Sequence, residues 1–386
     1  MTTTEPRSLA ETAANRTIQA LIEQQVTDGR QVGVQVAAYQ GGKPVVDAWA
    51  GQMGPDDARP VQPDSLFLSF SVTKGVTALA VHILADRGLL DYDAPAAKYW
   101  PAFAQHGKDR ITVAEVLSHQ AGLHAMPAGP FKTEYITDWD AGIKRMEDGV
   151  PAYEPGTATG YHAVTHGWLA GGMVHGASGR HIKQVIAEDI AGPIGVADSM
   201  FVGIPEGLDH RLTALEIHPA GEGLGLPADS DFHKAMPLDM WDSFNTMPIR
   251  QACLPSGNGH FTARALAKMY SALATDGSVD GVRLVTQERL PHMQRLMTDQ
   301  VDLVLGTPVK KGIGFFFGGE TNGVVGAMGR RVSAFGHPGA GGATAFCDPE
   351  VGLSIAVTIN KMAFALPGEG ATEEICNTIR RELKAE

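Results

Sequence analysis

Strand-like patterning is confined to the two ends of this chain, and the long stretch between them reads as helix and loop. Residues 32–39 and 44–50 form apolar-rich runs on either side of Gly41-Gly42, an antiparallel hairpin signal. Near the C-terminus, residues 312–317, 331–336, 343–348 and 353–359 read as strands, with Asp348-Pro349-Glu350 turning the third into the fourth. A helical pattern over residues 9–29, stopped at Gly29, precedes the first strands, and another over 369–384 follows the last. The two ends then supply one sheet with flanking helices. The expected class is α/β: an antiparallel sheet from about residues 1–75 and 300–386, with an inserted, mainly helical lobe from about 76–299. A substrate cleft belongs between two such lobes.

The helical candidates of the middle are residues 113–118, 136–148, 163–177, 182–189, 263–274 and 287–297, with Thr262 as N-cap of the fifth. Residues 218–231, rich in glycine, proline and acid, read as a surface loop. The 386 residues carry 31 Lys plus Arg against 43 Asp plus Glu, a net charge of −12. That balance disfavours nucleic acid or an anionic membrane as partner, since either calls for a basic face. No apolar run is long enough to span a bilayer. Residues 1–11 are polar and do not resemble a secretory signal. Cys253, Cys347 and Cys376 are odd in number and far apart, which argues against a disulfide framework or a zinc site and for a reducing, cytoplasmic setting.

A run of strand character at residues 66–70 meets a helical pattern that begins at Ser71 and continues to about Leu89, with Val76, Leu79, Ala80, Ile83 and Leu84 as its apolar stripe. Ser71-Val72-Thr73-Lys74 is a Ser-x-x-Lys tetrad, and no other serine here has a lysine three positions on. Residues three apart share a helix face, so the Lys74 amine can reach the Ser71 hydroxyl. A helix N-terminus favours negative charge developing on the serine, and a lysine held neutral by burial can take its proton. On the tetrad alone, an N-capping serine beside a solvated lysine explains the pattern equally well.

Three further stretches join it. They are residues 111–123, residues 153–163 with Tyr153-Glu-Pro-Gly and Gly160-Tyr161-His162-Ala163, and residues 335–342 with Phe335-Gly-His337-Pro-Gly339-Ala340-Gly-Gly. Together, in this order and spacing, the four resemble the β-lactamase-like serine hydrolases of penicillin-binding-protein fold, and most of all class C β-lactamases and family VIII carboxylesterases. The resemblance implies Ser71 as nucleophile, Lys74 as its partner and Tyr161 as the residue that moves the proton. On that reading the phenol needs a nearby positive charge, Lys74, to work near neutral pH. The backbone N–H groups of Ser71 and Ala340 are implied as the oxyanion hole. His337, Gly339 and Ala163 fall at substrate-binding positions. Without the resemblance, Tyr161 reads as a half-buried loop residue and the glycine cluster as a tight turn. Two departures stand out: Ala163 lies where many β-lactamases carry Asn, and His337 where they carry Lys. Both losses favour esters over β-lactams.

The expected function is a serine esterase for short-chain carboxylic esters, acting on a small-molecule ester through an acyl-Ser71 intermediate, with no cofactor and no metal. A β-lactamase, a D-amino-acid peptidase or amidase, an acyltransferase and a non-catalytic binding protein are the alternatives. The oligomeric state is left open. His162 and His166, four apart, have metal-ligand spacing, but ordinary hydrogen-bonded histidines fit better. His119 and His124 receive no role. Gly221–Gly225 does not follow a strand and is no dinucleotide site. Phe131, Trp241, Phe244 and Phe315 to Phe317 are candidates for an acyl pocket or for core.

Overall fold

A computed structural model describes residues 9–218, 225–363 and 370–386. The strands, in chain order, are β1 (Gly33–Gln40), β2 (Lys43–Gly54), β3 (Asp57–Pro60), β4 (Phe67–Leu68), β5 (Met200–Val202), β6 (Gly259–Phe261), β7 (Ser278–Val279), β8 (Val282–Arg283), β9 (Phe316–Phe317), β10 (Phe335–Pro338), β11 (Thr344–Asp348) and β12 (Leu353–Ile359). Seven of them form one sheet in the order β3-β2-β1-β12-β11-β10-β9. The first and last long strands are therefore neighbours: β1 runs antiparallel to β12, with Val34 opposite Ile359 and Gln40 opposite Leu353. Gly41 and Gly42 close the β1–β2 hairpin at φ 57° and 76°, the doubly left-handed two-residue turn that glycine makes without steric cost.

Residues from Gly33 to Ala38 in β1, and every residue of β12, are buried, so both faces of the sheet's centre are covered. The helix Ala13–Thr27 ends at Gly29 (φ 70°) and pairs with the C-terminal helix Ala371–Glu382, to which Gln25 Nε2 donates at Ala371 O, 3.1 Å. The start expected for that last helix, Glu369, lies outside the described residues, as does most of Gly221–Gly225. The helix Ala263–Leu273, expected in the inserted lobe, packs instead on β1 and β12. Ser354 Oγ of β12 donates to its Ala267 carbonyl at 2.8 Å, and Thr262 caps it as expected.

Several boundaries differ from expectation, each for a local reason. The first C-terminal strand shrinks from residues 312–317 to Phe316–Phe317, because Gly314 (φ 82°) turns the chain tightly past Ala78. The next shifts from 331–336 to Phe335–Pro338, which brings His337 onto a strand. The 136–148 pattern divides at Asp138, whose extended backbone ends one helix and whose side chain caps the helix Trp139–Asp148. The 163–177 helix starts only at His166. The 182–189 segment passes from Ile182–Val185 into wider turns at Ile186–Ala191. The 287–297 helix is reduced to two short turns, Gln287–Arg289 and Leu290–Met293.

The helix Val72–Asp86 is the centre of the molecule. Its residues from Val72 to Ala85 are all buried, not only the expected stripe, because it lies between the sheet and the helix His166–Ser178. A helix buried all round brings its polar residues inside with it, and each needs a partner. His82 is held between Tyr92 Oη (2.6 Å) and Ile313 O (2.9 Å), and Thr77 Oγ1 donates to Pro255 O at 2.5 Å. One continuous set of apolar side chains joins this helix to both lobes. Gly75 has no side chain because a methyl there would sit well inside contact distance of the fully buried Tyr270 hydroxyl. Gly75→Ala is expected to destabilise the fold by about 1–3 kcal/mol through overpacking, read as a lower urea midpoint; an unchanged midpoint would show that Tyr270 can move.

Candidate active site

The site begins with a strained turn. Phe70 has φ 45°, a conformation costly for a bulky residue and one that persists only where the surroundings enforce it. Thr73 Oγ1 donates to Phe70 O at 2.5 Å and accepts from Gly259 N at 2.9 Å. The Phe70 ring packs on Trp241 and Phe244, with centroids 5.6 and 5.1 Å apart. This turn presents Ser71 at the first position before the helix, yet its hydroxyl makes no capping bond. Instead Tyr161 Oη donates to Ser71 Oγ at 2.7 Å, and Lys74 Nζ lies 3.1 Å from the same oxygen. The simple N-cap explanation of Ser71 and the solvated-lysine explanation of Lys74 both fail here.

Lys74 is fully buried, and burial holds its pKa well below the usual lysine value. Its amine donates to Ala163 O at 2.7 Å and Ser256 O at 2.8 Å. A neutral amine has two N–H bonds and one lone pair. With both N–H bonds taken by carbonyls, the lone pair is left for the Ser71 hydroxyl. An ammonium formed there would find the same two carbonyls and the Tyr161 ring, whose centroid is 4.8 Å from Nζ.

Tyr161 does not behave as the sequence suggested. Burial first, and the charge of Asp302 to a lesser degree, raise its pKa above the usual phenol value, while the bond to Ser71 opposes them. Lys74 is not among the groups that lower it. Burial thus favours the protonated phenol and the deprotonated amine.

The opposite wall is the end of β10. Gly339 lies so close to Ser69 that a Cβ would stand 2.5 Å from its carbonyl oxygen. The N–H groups of Ser71 and Ala340 have no acceptor among the described residues, and both residues line one cavity of about 300 Å³. Its walls are mostly apolar: Phe70, Val164, Met236, Met240, Trp241, Phe244 and Phe316 contribute, and no side chain lining it carries a charge. Of the acyl-pocket candidates, Trp241, Phe244 and Phe316 line it, whereas Phe131, Phe315 and Phe317 do not. His337 lines it as a neutral imidazole. Burial lowers its pKa to about 3, and its Nδ1 lies 2.7 Å from Pro338 O. Ala163 contributes a methyl group to the cavity and its carbonyl to Lys74.

Four participants carry no sequence signal that reading by motif could find. Ser256 supplies a carbonyl from 182 positions beyond Lys74. Asp302 and Lys311 form a fully buried ion pair, and Asp302 Oδ1 accepts from Tyr161 N at 3.1 Å. His119, given no role above, supports the same loop, with Nδ1 accepting from His162 N at 3.0 Å. His162 has both ring nitrogens engaged, with Leu123 N and Gly160 O, and among the described residues no cluster of three His, Cys, Asp or Glu could hold a metal. Nor is any described helix long and apolar enough to cross a membrane.

A nucleophile-positioned serine beside a buried lysine and tyrosine, set between a sheet lobe and a helical lobe, defines a serine hydrolase. The comparisons agree and give the family: a model described as Beta-lactamase matches residues 18–375, and the chain belongs to that family. The Esterase/beta-lactamase LipL of Mycobacterium tuberculosis is 33% identical over 354 residues, which cover 86% of this chain and 77% of LipL. The crystal structure of a family VIII carboxylesterase superposes with a TM-score of 0.86 at 30% identity, covering 96% of this chain and 98% of that one. A penicillin-binding protein homologue from Caulobacter crescentus gives a TM-score of 0.86 at 34% identity, with the same coverage.

Burying Lys74 as a neutral amine has a measurable cost. Burial lowers the pKa of Lys74 in the folded chain, so this residue opposes folding below the unfolded lysine's pKa, and the penalty fades as pH rises toward about 10.4, where the unfolded lysine also loses its proton. Lys74→Met is expected to raise the urea midpoint at pH 7, with a smaller gain at pH 9.5, while lowering kcat roughly 10²-fold or more. A midpoint lowered equally at both pH values would mean that Lys74 is charged in the folded protein.

Proposed function

We propose that the protein is a serine esterase acting on short-chain, uncharged carboxylic esters through an acyl-Ser71 intermediate. One observation carries the reading: the Ser71 hydroxyl lies between the Lys74 amine and the Tyr161 phenol at the floor of an apolar cavity lined by no charged side chain. Attack of Ser71 Oγ on the ester carbonyl passes its proton to Lys74. The N–H groups of Ser71 and Ala340 hold the oxyanion. As the C–O bond breaks, the leaving alkoxide takes the Tyr161 proton, and the proton on Lys74 replaces it. Water then attacks the acyl carbon by the same steps in reverse, releasing the acid and restoring Ser71.

Ester chemistry suits this site better than β-lactam hydrolysis. Position 163 offers only a methyl group to the cavity, and His337 is a neutral ring. A β-lactam carboxylate entering the cavity would meet no cation. The names of its relatives, which include both esterase and β-lactamase, leave room for either. The cavity of about 300 Å³ lies at the small end of ligand pockets, which favours short acyl groups.

A fluorophosphonate probe should label Ser71, with the mass increment absent in Ser71→Ala. The kcat/KM for p-nitrophenyl acetate or butyrate should exceed that for nitrocefin by roughly 10²-fold or more, equivalent to a few kcal/mol of transition-state binding. Long-chain p-nitrophenyl esters should be poorer substrates than short ones. Labelling at another residue would overturn the acyl-Ser71 step, and nitrocefin turnover equal to that of the short esters would make β-lactam hydrolysis the function.

A further inference from the structure

The segment that carries Tyr161, from Thr159 to Ala163, belongs to no helix or strand. Its buried backbone N–H groups therefore need partners from elsewhere. Each of three consecutive N–H groups has one. Gly160 N donates to His119 O at 3.0 Å, Tyr161 N to Asp302 Oδ1 at 3.1 Å, and His162 N to His119 Nδ1 at 3.0 Å. His119 thus grips the segment at two points, and Asp302 grips it at the residue whose phenol meets Ser71.

Asp302 and Lys311 are both fully buried. Lys311 Nζ pairs with Asp302 Oδ2 and donates to Thr159 Oγ1 at 2.7 Å, so the pair holds the tyrosine segment at Thr159 as well. The same Asp302 Oδ1 accepts from Val304 N at 2.9 Å and Leu305 N at 2.8 Å, and Leu305 lines the cavity. Leu303 N closes the connection by donating to Thr159 O at 2.9 Å. One carboxylate therefore ties the tyrosine to a wall of the substrate cavity. Burying two charges is unfavourable unless their geometry and hydrogen bonds repay it, so such a pair is a weak device for stability alone.

We propose that Asp302 is a positioning residue for Tyr161: through its Oδ1 it fixes the phenol over Ser71, and Lys311 serves to neutralise that carboxylate. This rests on the catalytic reading of Tyr161 given above. It predicts that the acceptor at Oδ1 matters to catalysis, and that the charges matter only in balancing each other.

The test uses two double variants, because removing one charge alone leaves the other buried and unpaired, at a large cost to folding. Asp302→Asn with Lys311→Met removes both charges and keeps an acceptor at the Oδ1 position. Asp302→Leu with Lys311→Met removes the acceptor too. Each is also made in a Tyr161→Phe background, and all are assayed with p-nitrophenyl butyrate after circular dichroism confirms the fold. The Asn/Met enzyme should keep kcat within about 3-fold of the parent. The Leu/Met enzyme should lose about 10-fold or more in kcat, with a smaller change in KM, and that difference should vanish when Tyr161 is Phe. Equal kcat for the two double variants, or a difference that persists undiminished in Tyr161→Phe, would overturn the positioning role. If Tyr161→Phe by itself turns over at the parent rate, the catalytic reading of Tyr161 is what has failed, and the positioning claim falls with it. A Leu/Met enzyme that folds no less stably than Asn/Met yet turns over more slowly would separate positioning from simple structural support.

Discussion

The site depends on an amine that cannot reach water. Lys74 lies on a helix buried on every side, and its two N–H directions are taken by the carbonyls of Ala163 and Ser256. A charged amine in that position would lack a carboxylate partner among the described residues, so burial works against the charged form. The carbonyls come from distant parts of the chain, and holding them in place accounts for much of the surrounding structure. Ser256 Oγ donates to Val164 O at 2.6 Å, which joins the two carbonyl-bearing segments directly. Thr77 and Asn258 brace the turn that carries Ser256, through Pro255 O and Leu254 N. The nucleophile helix, the start of the helix at His166 and the turn before β6 are thereby one unit.

The same burial sorts the protonation states around Ser71. It raises the pKa of Tyr161 and lowers those of His337 and Lys74, so it works against the charged form of each. The serine thus lies between the Tyr161 phenol and the Lys74 amine, two groups whose uncharged forms burial favours. That suits a neutral substrate in an apolar cavity, because nothing charged has to be desolvated when it enters. In the proposed reaction, charge would develop on the amine and on the oxyanion, next to two carbonyls and two backbone N–H groups respectively.

How much of this was legible in the sequence follows from the range of each interaction. Ser71 and Lys74 are three apart on one helix, so their contact is a local matter and could be read from spacing. β1, β11 and β12 announced themselves because both faces are covered and their apolar runs are nearly continuous. Tyr161, Ala340 and His337 were placed by resemblance, since nothing in their immediate surroundings marks them. Asp302 and Ser256 stayed hidden because their partners are fixed only by the tertiary fold. The raised pKa of Tyr161 was not legible for a related reason. A nearby lysine suggests a positive charge, but its depth decides whether the charge is there, and depth is not written in a tetrad. The shifted strand at Phe335–Pro338 shows the same limit on a smaller scale: glycines at 336, 339, 341 and 342 blur the period-2 pattern by which a strand end is recognised.

The central claim is that Lys74 is a neutral amine in the resting enzyme. The direct measurement is heteronuclear NMR of the protein labelled with 13C and 15N at lysine, with the Lys74 side-chain signal assigned by its loss in Lys74→Met. Nζ and Cε shifts of a free amine are expected at pH 7, unchanged on raising the pH to 9. Ammonium shifts at pH 7 would contradict it and would require another group to take the proton from Ser71.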